Sequence, residues 1–183
     1  LELLRGNPRF ELGIHPNFNP LLLGDHSLGR TAEEVVDRLL EIVPEAKSVR
    51  SHSMTQSSVL LNLFAEKGMT HDCNHYIPHQ SEIILRPWLL WNGLVRVPYF
   101  WEDDLSCLFE DPFDAHSLLS RQGLRVFDFH PIHLFLNTTD LSEYEETRNL
   151  HRKPNELIKH RASSDHGARS RFEKLFSGSL IDS

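Results

Sequence analysis

Extended and helical segments alternate along the first half of the chain, and this alternation is the feature that most restricts its fold. The hydrophobic pattern predicts, in chain order, a strand over 9–14, a helix over 31–43, a strand over 46–51 and a helix over 53–67. The first helix has a capping box that opens at Thr31, and Pro44 ends it. In the second helix we expect Val59, Leu60, Leu63 and Phe64 to face inward. Strand, helix, strand, helix is typical of a parallel α/β sheet or barrel.

The second half of the chain continues the pattern and then becomes polar. We predict strands over 69–72, 82–85, 94–97 and 124–129, and helices over 114–121 and 142–152. Residues 153–170 are polar and are expected to be mobile, and a last short helix would dock through Phe172, Leu175 and Phe176. We therefore expect one domain, with an α/β sheet or barrel over 1–140 and with residues 141–183 as the charged helix, the polar segment and the C-terminal helix of the same domain.

Composition limits the classes of partner. A chain of 183 residues with 39% hydrophobic and 25% charged residues is long enough to bury one core. The net charge of −7 argues against a nucleic-acid surface, and no apolar run is long enough to span a membrane. With no visible signal segment and two widely spaced cysteines, the sequence favours a cytoplasmic protein. The chain opens at Leu1 without an initiating Met, so we expect that a natural N-terminal segment is missing.

Polar side chains follow several of the predicted strands at the point where each strand ends. They are His15, His52, Asp72, the segment 99–104 and His130. In parallel α/β architectures the functional loops lie at the carboxyl ends of the strands, so these positions would converge on one mouth. Imidazole is a common metal ligand, although a single histidine at a strand end is more often an ordinary hydrogen-bonded loop residue. The recurrence of the placement is what indicates a site.

These segments resemble the motifs of the polysaccharide deacetylases, the carbohydrate esterases with chitooligosaccharide-deacetylase homology. Glu11-Leu12-Gly13-Ile14-His15 is similar to the family's metal-binding motif, and Arg50-Ser51-His52-Ser53 occupies the place of an arginine motif. The segment Tyr99-Phe100-Trp101-Glu102-Asp103-Asp104 looks like the acidic and tryptophan motif, and Asp128-Phe129-His130-Pro131 like the motif that supplies a general acid. The resemblance covers about Glu11 to His133 and looks closest to a bacterial branch associated with O-antigen synthesis.

The resemblance implies a distorted (β/α) barrel of about seven strands, its first strand or strands apparently missing here, and a divalent metal, usually zinc. The metal side would comprise His15 with His52 or Asn19, where Asn19 replaces the family's second histidine. The catalytic group would comprise His130 as general acid, Arg50 and Asp104, with Asp103 as an alternative partner of His130. Tyr99, Trp101, Asp103 and His133 would line the substrate. The family's first motif, an Asp pair that supplies the base and one ligand, would precede Leu1.

The activity implied is hydrolysis of an N-acetyl or similar acyl group on a sugar or polysaccharide precursor. Zinc activates water and polarises the amide carbonyl, while a histidine protonates the leaving amine from the opposite side. Two alternatives stay open. Because an amide oxygen is a poor zinc ligand and the arginine motif is degraded, the chain could be an inactive relative that binds a glycan. The histidine placement alone would also allow an unrelated metal hydrolase on a barrel scaffold.

Overall fold

The structure, a computed structural model, describes residues 1–109 and 113–178 and has mixed α/β content. Its α-helices are α1 Glu2–Arg5, α2 Asn19–Leu22, α3 Ala32–Ile42, α4 Ser58–Glu66, α5 Asp103–Leu108, α6 Ala115–Leu119, α7 Pro131–Leu136, α8 Leu141–Glu146, α9 Pro154–Leu157 and α10 Ala168–Gly178. Its strands are β1 Ser48–Val49, β2 His71–Asp72, β3 Trp88–Leu89, β4 Val95–Arg96, β5 Trp101–Glu102 and β6 Phe127–Asp128. Short 3-10 turns occupy His52–Met54, His79–Ser81, Arg148–Leu150 and Ile158–His160.

The chain divides into two compact units. The first comprises Leu1–Tyr76 and Arg86–Pro98, and the second comprises Ile77–Leu85 and Tyr99–Ser183. The predicted organisation, an N-terminally incomplete barrel over 1–140 with residues 141–183 as further segments of the same domain, stays a prediction.

The first unit is built on a four-stranded sheet in the order β1-β2-β4-β3. The pairs β1–β2 and β2–β4 are parallel, and β3 pairs antiparallel with β4. Of the strand predicted over 9–14, only Ile14 pairs, through a bridge to Val49, and the strand predicted over 82–85 is not formed. Within the described residues the sheets do not close, so the seven-stranded barrel stays a prediction. The α/β class itself is confirmed.

Two amphipathic helices cover the core of this unit. The Thr31 hydroxyl accepts from the backbone N–H of Glu34 at 3.1 Å, as the capping pattern predicts, and Val35 and Val36 of α3 are buried. Helix α4 begins later than predicted because Ser57 is its N-cap. Leu61 and Phe64 of this helix are buried, whereas Val59 is 74% exposed. The inward orientation predicted for Val59 was therefore wrong.

Gly13 lies where the chain passes very close to β1. The neighbouring backbone forms a parallel ladder in which Ile14 N–H donates to Ser48 O at 3.0 Å and Arg50 N–H donates to Ile14 O at 3.1 Å. A Cβ atom on residue 13 would lie 2.5 Å from Ser48 Oγ and 2.8 Å from Ser48 O. The glycine that precedes His15 by two residues thus permits the close approach that holds His15 beside β1.

We expect Gly13→Ala to lower the free energy of unfolding by about 1–3 kcal/mol, because the added methyl overpacks against a backbone carbonyl that cannot yield easily. Urea unfolding would measure the change. Gly6→Ala is the matched control: its Cβ would lie 3.4 Å from Glu2 O, and we expect a change within about 0.5 kcal/mol. Equal effects of the two substitutions would contradict the close approach at Gly13.

The second unit contains the parallel pair β5–β6, in which Trp101 is opposite Phe127 and Glu102 is opposite Asp128. Helix α5 follows β5 directly, and α7 follows β6 after two residues. The sequence pattern predicts a strand over 124–129 and no helix directly after it. Pro131 is instead the first residue of α7, where its fixed φ and missing N–H cost nothing. His130 is therefore a helix N-cap, and His133 lies in the first turn.

The polar C-terminal part contains short helical turns that the sequence pattern did not predict, and its expected mobility stays a prediction. Asp140 caps α8 by accepting from Ser142 N–H at 2.6 Å, so the charged helix starts at Leu141 and ends at Glu146 instead of running to residue 152. The polar segment contains the helical turn Pro154–Leu157. Asn137, in the left-handed conformation at φ 55°, donates to the carbonyls of Ala162 and Ser164 at 3.0 and 2.8 Å. Leu175 of α10 is buried, and Phe176 is 60% exposed.

Candidate active site

His130 and Asp103 form the best-defined polar pair of the second unit. The Asp103 carboxylate receives two hydrogen bonds from the same residue: His130 N–H at 2.9 Å to Oδ2, and the His130 ring at 2.7 Å from Nδ1 to Oδ1. The Asp103 side chain is fully buried, while the His130 side chain is 29% exposed. Two contacts to one buried carboxylate fix the imidazole orientation and direct the other ring nitrogen, Nε2, away from Asp103.

The electrostatic surroundings favour a charged His130. Burial lowers the pKa of the imidazole, but the hydrogen bond to Asp103 and the negative charges of Asp103, Asp128 and Asp104 outweigh it and raise the pKa of His130 to about 9. The ring is therefore protonated at neutral pH. With Nδ1–H bonded to Asp103, the second proton is on Nε2, whose distance to Glu102 Oε1 is 3.9 Å. A protonated, oriented and partly exposed imidazole can serve as a general acid.

Asp103, and not Asp104, is the partner of His130. The carboxylate of Asp104 instead accepts from Leu105 N–H, with a 2.6 Å separation. Asp104 still lies near the His130 ring, because the ligand atoms of Glu102, Asp104 and His130 are within 4.8 Å of one another. Of the two aspartates expected to orient His130, Asp103 is thus the one that hydrogen-bonds to it, and the substrate contact also expected of Asp103 stays a prediction.

His133 lies behind His130 and is buried. Its ring is 5.5 Å from that of His130, nearly perpendicular to it, and its Nδ1 lies 3.1 Å from Thr138 Oγ1. Burial lowers the pKa of His133, and the positive charge of His130 acts in the same direction. His133 thus packs against the His130 ring from within α7. Because His133 is 5% exposed, it has little surface to offer a substrate.

Tyr99 and Trp101, expected to contact the sugar, are each 2% exposed. The phenol of Tyr99 donates to Glu102 Oε2 at 2.9 Å. Trp101 packs against the rings of Phe113, Phe127 and Phe129. The structure places both aromatic residues in the core, where Tyr99 orients Glu102 and Trp101 supports the β5–β6 pair. Sequence reasoning gave Glu102 no role, although it lies within the quoted motif and on the strand that leads to Asp103.

In the first unit the structure brings His15, His52 and Asn19 to one surface. The rings of His15 and His52 are 5.7 Å apart at an interplanar angle of 88°, and both residues are exposed. Asn19 Nδ2 donates to Ser53 Oγ at 3.2 Å, which leaves its side-chain oxygen as the possible ligand atom. The backbone N–H of Arg50 bonds to Ile14, so Arg50 belongs to the strand end that carries His52.

The spacing of these two imidazoles fits a shared metal ion. With Zn–N bonds of about 2.0–2.1 Å and tetrahedral angles, two bound imidazoles have ring centres roughly 5 Å apart. His15 and His52 are therefore compatible with two ligands of one zinc ion, and the Asn19 oxygen would be a weak third.

The described residues of the second unit contain two further groups that could hold a metal. Their ligand atoms lie within 4.8 Å of one another, and the groups are Asp103, His130, His133 and Glu102, Asp104, His130. The first group includes Asp103 and His130, which are already hydrogen-bonded to each other. A metal in the second group could use His130 Nε2 and leave that bond intact, in the arrangement of a carboxylate behind a ligating histidine.

Sequence reasoning missed a buried polar network in the first unit. Asp72, Asn74 and Arg96 are at most 9% exposed and hydrogen-bond to one another in the order Asn74, Asp72, Arg96. An arginine inside the apolar segment 94–97, with an aspartate at the end of a neighbouring strand, is the signal that could have predicted a buried ion pair.

The chain was compared with known proteins. The model of a family described as WbmS-like polysaccharide deacetylase matches residues 1–148. A solved structure from Bordetella bronchiseptica, described as a candidate polysaccharide deacetylase involved in O-antigen biosynthesis, is 45% identical, with a TM-score of 0.86 over 97% of this chain and 73% of that chain. No curated protein matches significantly. In the described part of the chain, no helix has the length and apolar character needed to cross a bilayer. The chain belongs to the WbmS-like polysaccharide deacetylase family.

Proposed function

We propose that the protein is a metal-dependent hydrolase that removes N-acetyl, or similar acyl, groups from a sugar or polysaccharide precursor. The observation that carries the proposal is the His130 imidazole, held by the buried Asp103 and positively charged at neutral pH. Family membership supports the substrate class and makes an unrelated hydrolase an unnecessary alternative. The O-antigen role of the Bordetella bronchiseptica relative suggests a bacterial surface polysaccharide precursor as substrate.

In the proposed reaction His130 is the proton donor. Water adds its oxygen to the amide carbonyl carbon and gives one proton to a carboxylate base. Nε2–H of His130 then transfers its proton to the amide nitrogen as the C–N bond breaks, so the amine leaves neutral and acetate is the second product. Asp103 keeps Nδ1–H bonded throughout and stabilises the imidazolium before transfer. When bound, a divalent metal supplies Lewis acidity, which polarises the amide carbonyl and activates water. We assign His15 and His52 as ligands, with Asn19 as a weaker third.

A binding measurement and an activity measurement test this proposal together. We expect metal-stripped protein to take up Zn²⁺ at micromolar concentration in calorimetry and to release acetate from N-acetylated hexosamine oligosaccharides. His15→Ala should lower zinc affinity at least about tenfold and lower acetate release with it, because one strong ligand is lost. His26→Ala, which removes an exposed histidine of the same unit, is the control and should change neither.

Two outcomes would count against the proposal. Protein that takes up no divalent metal at micromolar concentration, with acetate release unaffected by His15→Ala, would exclude the metal-dependent mechanism. Protein that binds N-acetylated oligosaccharides but releases no acetate with Zn²⁺ present would identify the chain as a glycan-binding relative without activity.

A further inference from the structure

Where the backbone ladder between β1 and β2 ends, the Asn74 side chain accepts the next hydrogen bond in place of a backbone carbonyl. Cys73 N–H donates to Val49 O at 2.9 Å as the last backbone bond in this direction. The next donor along β1, Ser51 N–H, is bonded to the side-chain oxygen of Asn74 at 2.7 Å. Ser51 is 1% exposed and Asn74 is fully buried, so water does not compete for this bond. Asn74 therefore holds the residue immediately before His52.

The orientation of the Asn74 amide is fixed by its second partner. Asn74 Nδ2 donates to Asp72 Oδ1 at 2.7 Å, and Arg96 Nε donates to Asp72 Oδ2 at 2.5 Å. An ionised carboxylate can only accept, so Asp72 obliges Asn74 to present its NH₂ there and its oxygen to Ser51. Asp72 in turn is buried and neutralised by Arg96. The three side chains act as one polarised chain of hydrogen bonds that ends on Ser51 N–H.

The same network also holds the far end of the His52 turn. Arg96 Nη2 donates to Gln56 Oε1 at 2.8 Å, and Gln56 Nε2 donates to the backbone oxygen of Asn74 at 2.9 Å. Residues 52–55 thus lie between two anchored residues, Ser51 and Gln56. Within them Ser53 and Met54 have φ values of 54° and 51°, a conformation that L-residues adopt only when the surroundings impose it.

The other side of the turn faces His15. His52 N–H donates to Pro16 O at 2.9 Å, which places the two histidines on adjacent chains of one parallel ladder. This backbone bond holds His52 N–H, and Asn19 Nδ2 also donates to Ser53 Oγ at 3.2 Å. Asn74 and Gln56 add restraints at the two ends of the turn.

We propose that Asn74, oriented by Asp72 and Arg96, is the positioning residue that holds the His52 imidazole beside His15, and so sets the affinity of this histidine pair for a divalent metal. The effect on metal affinity rests on the proposed function, whereas the positioning of the His52 ring by Asn74 does not.

Reversal of hydrogen-bond polarity tests the inference. Asn74→Asp places a second carboxylate against that of Asp72. The two carboxylates repel, and the hydrogen bond between residues 72 and 74 is lost. The exchange Asp72→Asn with Asn74→Asp restores a donor opposite every acceptor and the original net charge. We expect the nuclear Overhauser contact between the His15 and His52 rings, in metal-free protein, to disappear in Asn74→Asp and to return in the double variant. Zn²⁺ affinity measured by calorimetry should fall about 10–100-fold and recover in the same way.

Val36→Ala controls for a general loss of stability, because Val36 is fully buried in α3 and has no part in the network. It should leave both the ring contact and the zinc affinity unchanged. A ring contact that persists in Asn74→Asp would overturn the positioning role. A contact that is lost while zinc affinity is retained would overturn the link to metal. If wild-type protein binds no Zn²⁺, the proposed metal function is wrong and so is its link to Asn74. The ring contact would still decide whether Asn74 positions His52.

Discussion

His130→Ala is expected to lower acetate release by about 10²–10⁴-fold, the usual contribution of a general acid, while the bound zinc stays unchanged. The reason is that His130 would supply the proton for the leaving amine and would not be a ligand. Acetate release and metal content would be measured on the same protein. His116→Ala, at an exposed position of α6, is the control and should have no effect on either. Loss of metal in His130→Ala would instead identify His130 as a ligand together with Glu102 and Asp104.

The pH dependence of Asp103→Asn gives an independent measure of the same pair. His130 can donate only while protonated, so wild-type activity should decline as pH rises through about 9. Removal of the Asp103 charge should move this decline toward the ordinary histidine pKa of about 6.5. A decline that stays near its wild-type position would show that Asp103 does not control the proton on His130.

The same pKa shift has a consequence for stability, and its sign follows from linkage. Because the pKa of His130 in the folded protein is raised to about 9, its contribution to stability is complete below about pH 6.5 and is lost as pH rises through about 9. Thermal unfolding at each pH would separate this loss from the loss of the proton donor. Asp103→Asn should show little of this dependence.

Trp101→Ala is expected to cost about 3–5 kcal/mol of unfolding free energy, because a fully buried indole leaves a cavity among aromatic rings. Trp101→Phe, which fills part of the volume, should cost less. Trp91→Ala is the matched control, since Trp91 is 67% exposed, and we expect a change within about 0.5 kcal/mol. Urea unfolding would give all three values.

The phenylalanine variant also tests the sugar contact that the sequence suggested for this residue. If Trp101 supports the core alone, Trp101→Phe should leave the KM for N-acetylated oligosaccharides unchanged at temperatures where it is folded. A raised KM in a fully folded variant would show that the indole reaches the substrate in solution.

Features that depend on neighbouring residues in the chain were the easiest to predict. The Thr31 cap and the helix after it follow from local hydrogen bonding and period, and the structure confirms both. Pro131 shows the limit of local signals, because a proline can end a strand or begin a helix and the sequence around it does not decide between them. The start of α4 was predicted too early because several serines near it could each cap the helix, and Ser57 is the one that does.

The roles of particular site residues depended on packing across the chain and could not be predicted. Asp103 and Asp104 are chemically identical, and only the start of α5 determines which one meets His130. The burial of Tyr99 and Trp101 follows from the pairing of β5 with β6, two segments more than 20 residues apart. Asn74 had no sequence signal at all, because its importance comes from the end of a ladder that only the folded chain reveals.

Because β5 pairs in parallel with β6, the contact between Asp103 and His130 depends on the number of residues that separate each of them from its strand. Trp101 is opposite Phe127, so Asp103 and His130 each follow their strand at a set number of residues. Removal of a single residue between Phe127 and His130 would shift the histidine by one position and turn its side chain to the other side of the chain. Relatives that keep the proton donor are therefore expected to vary freely in side chains along this segment but to preserve its length.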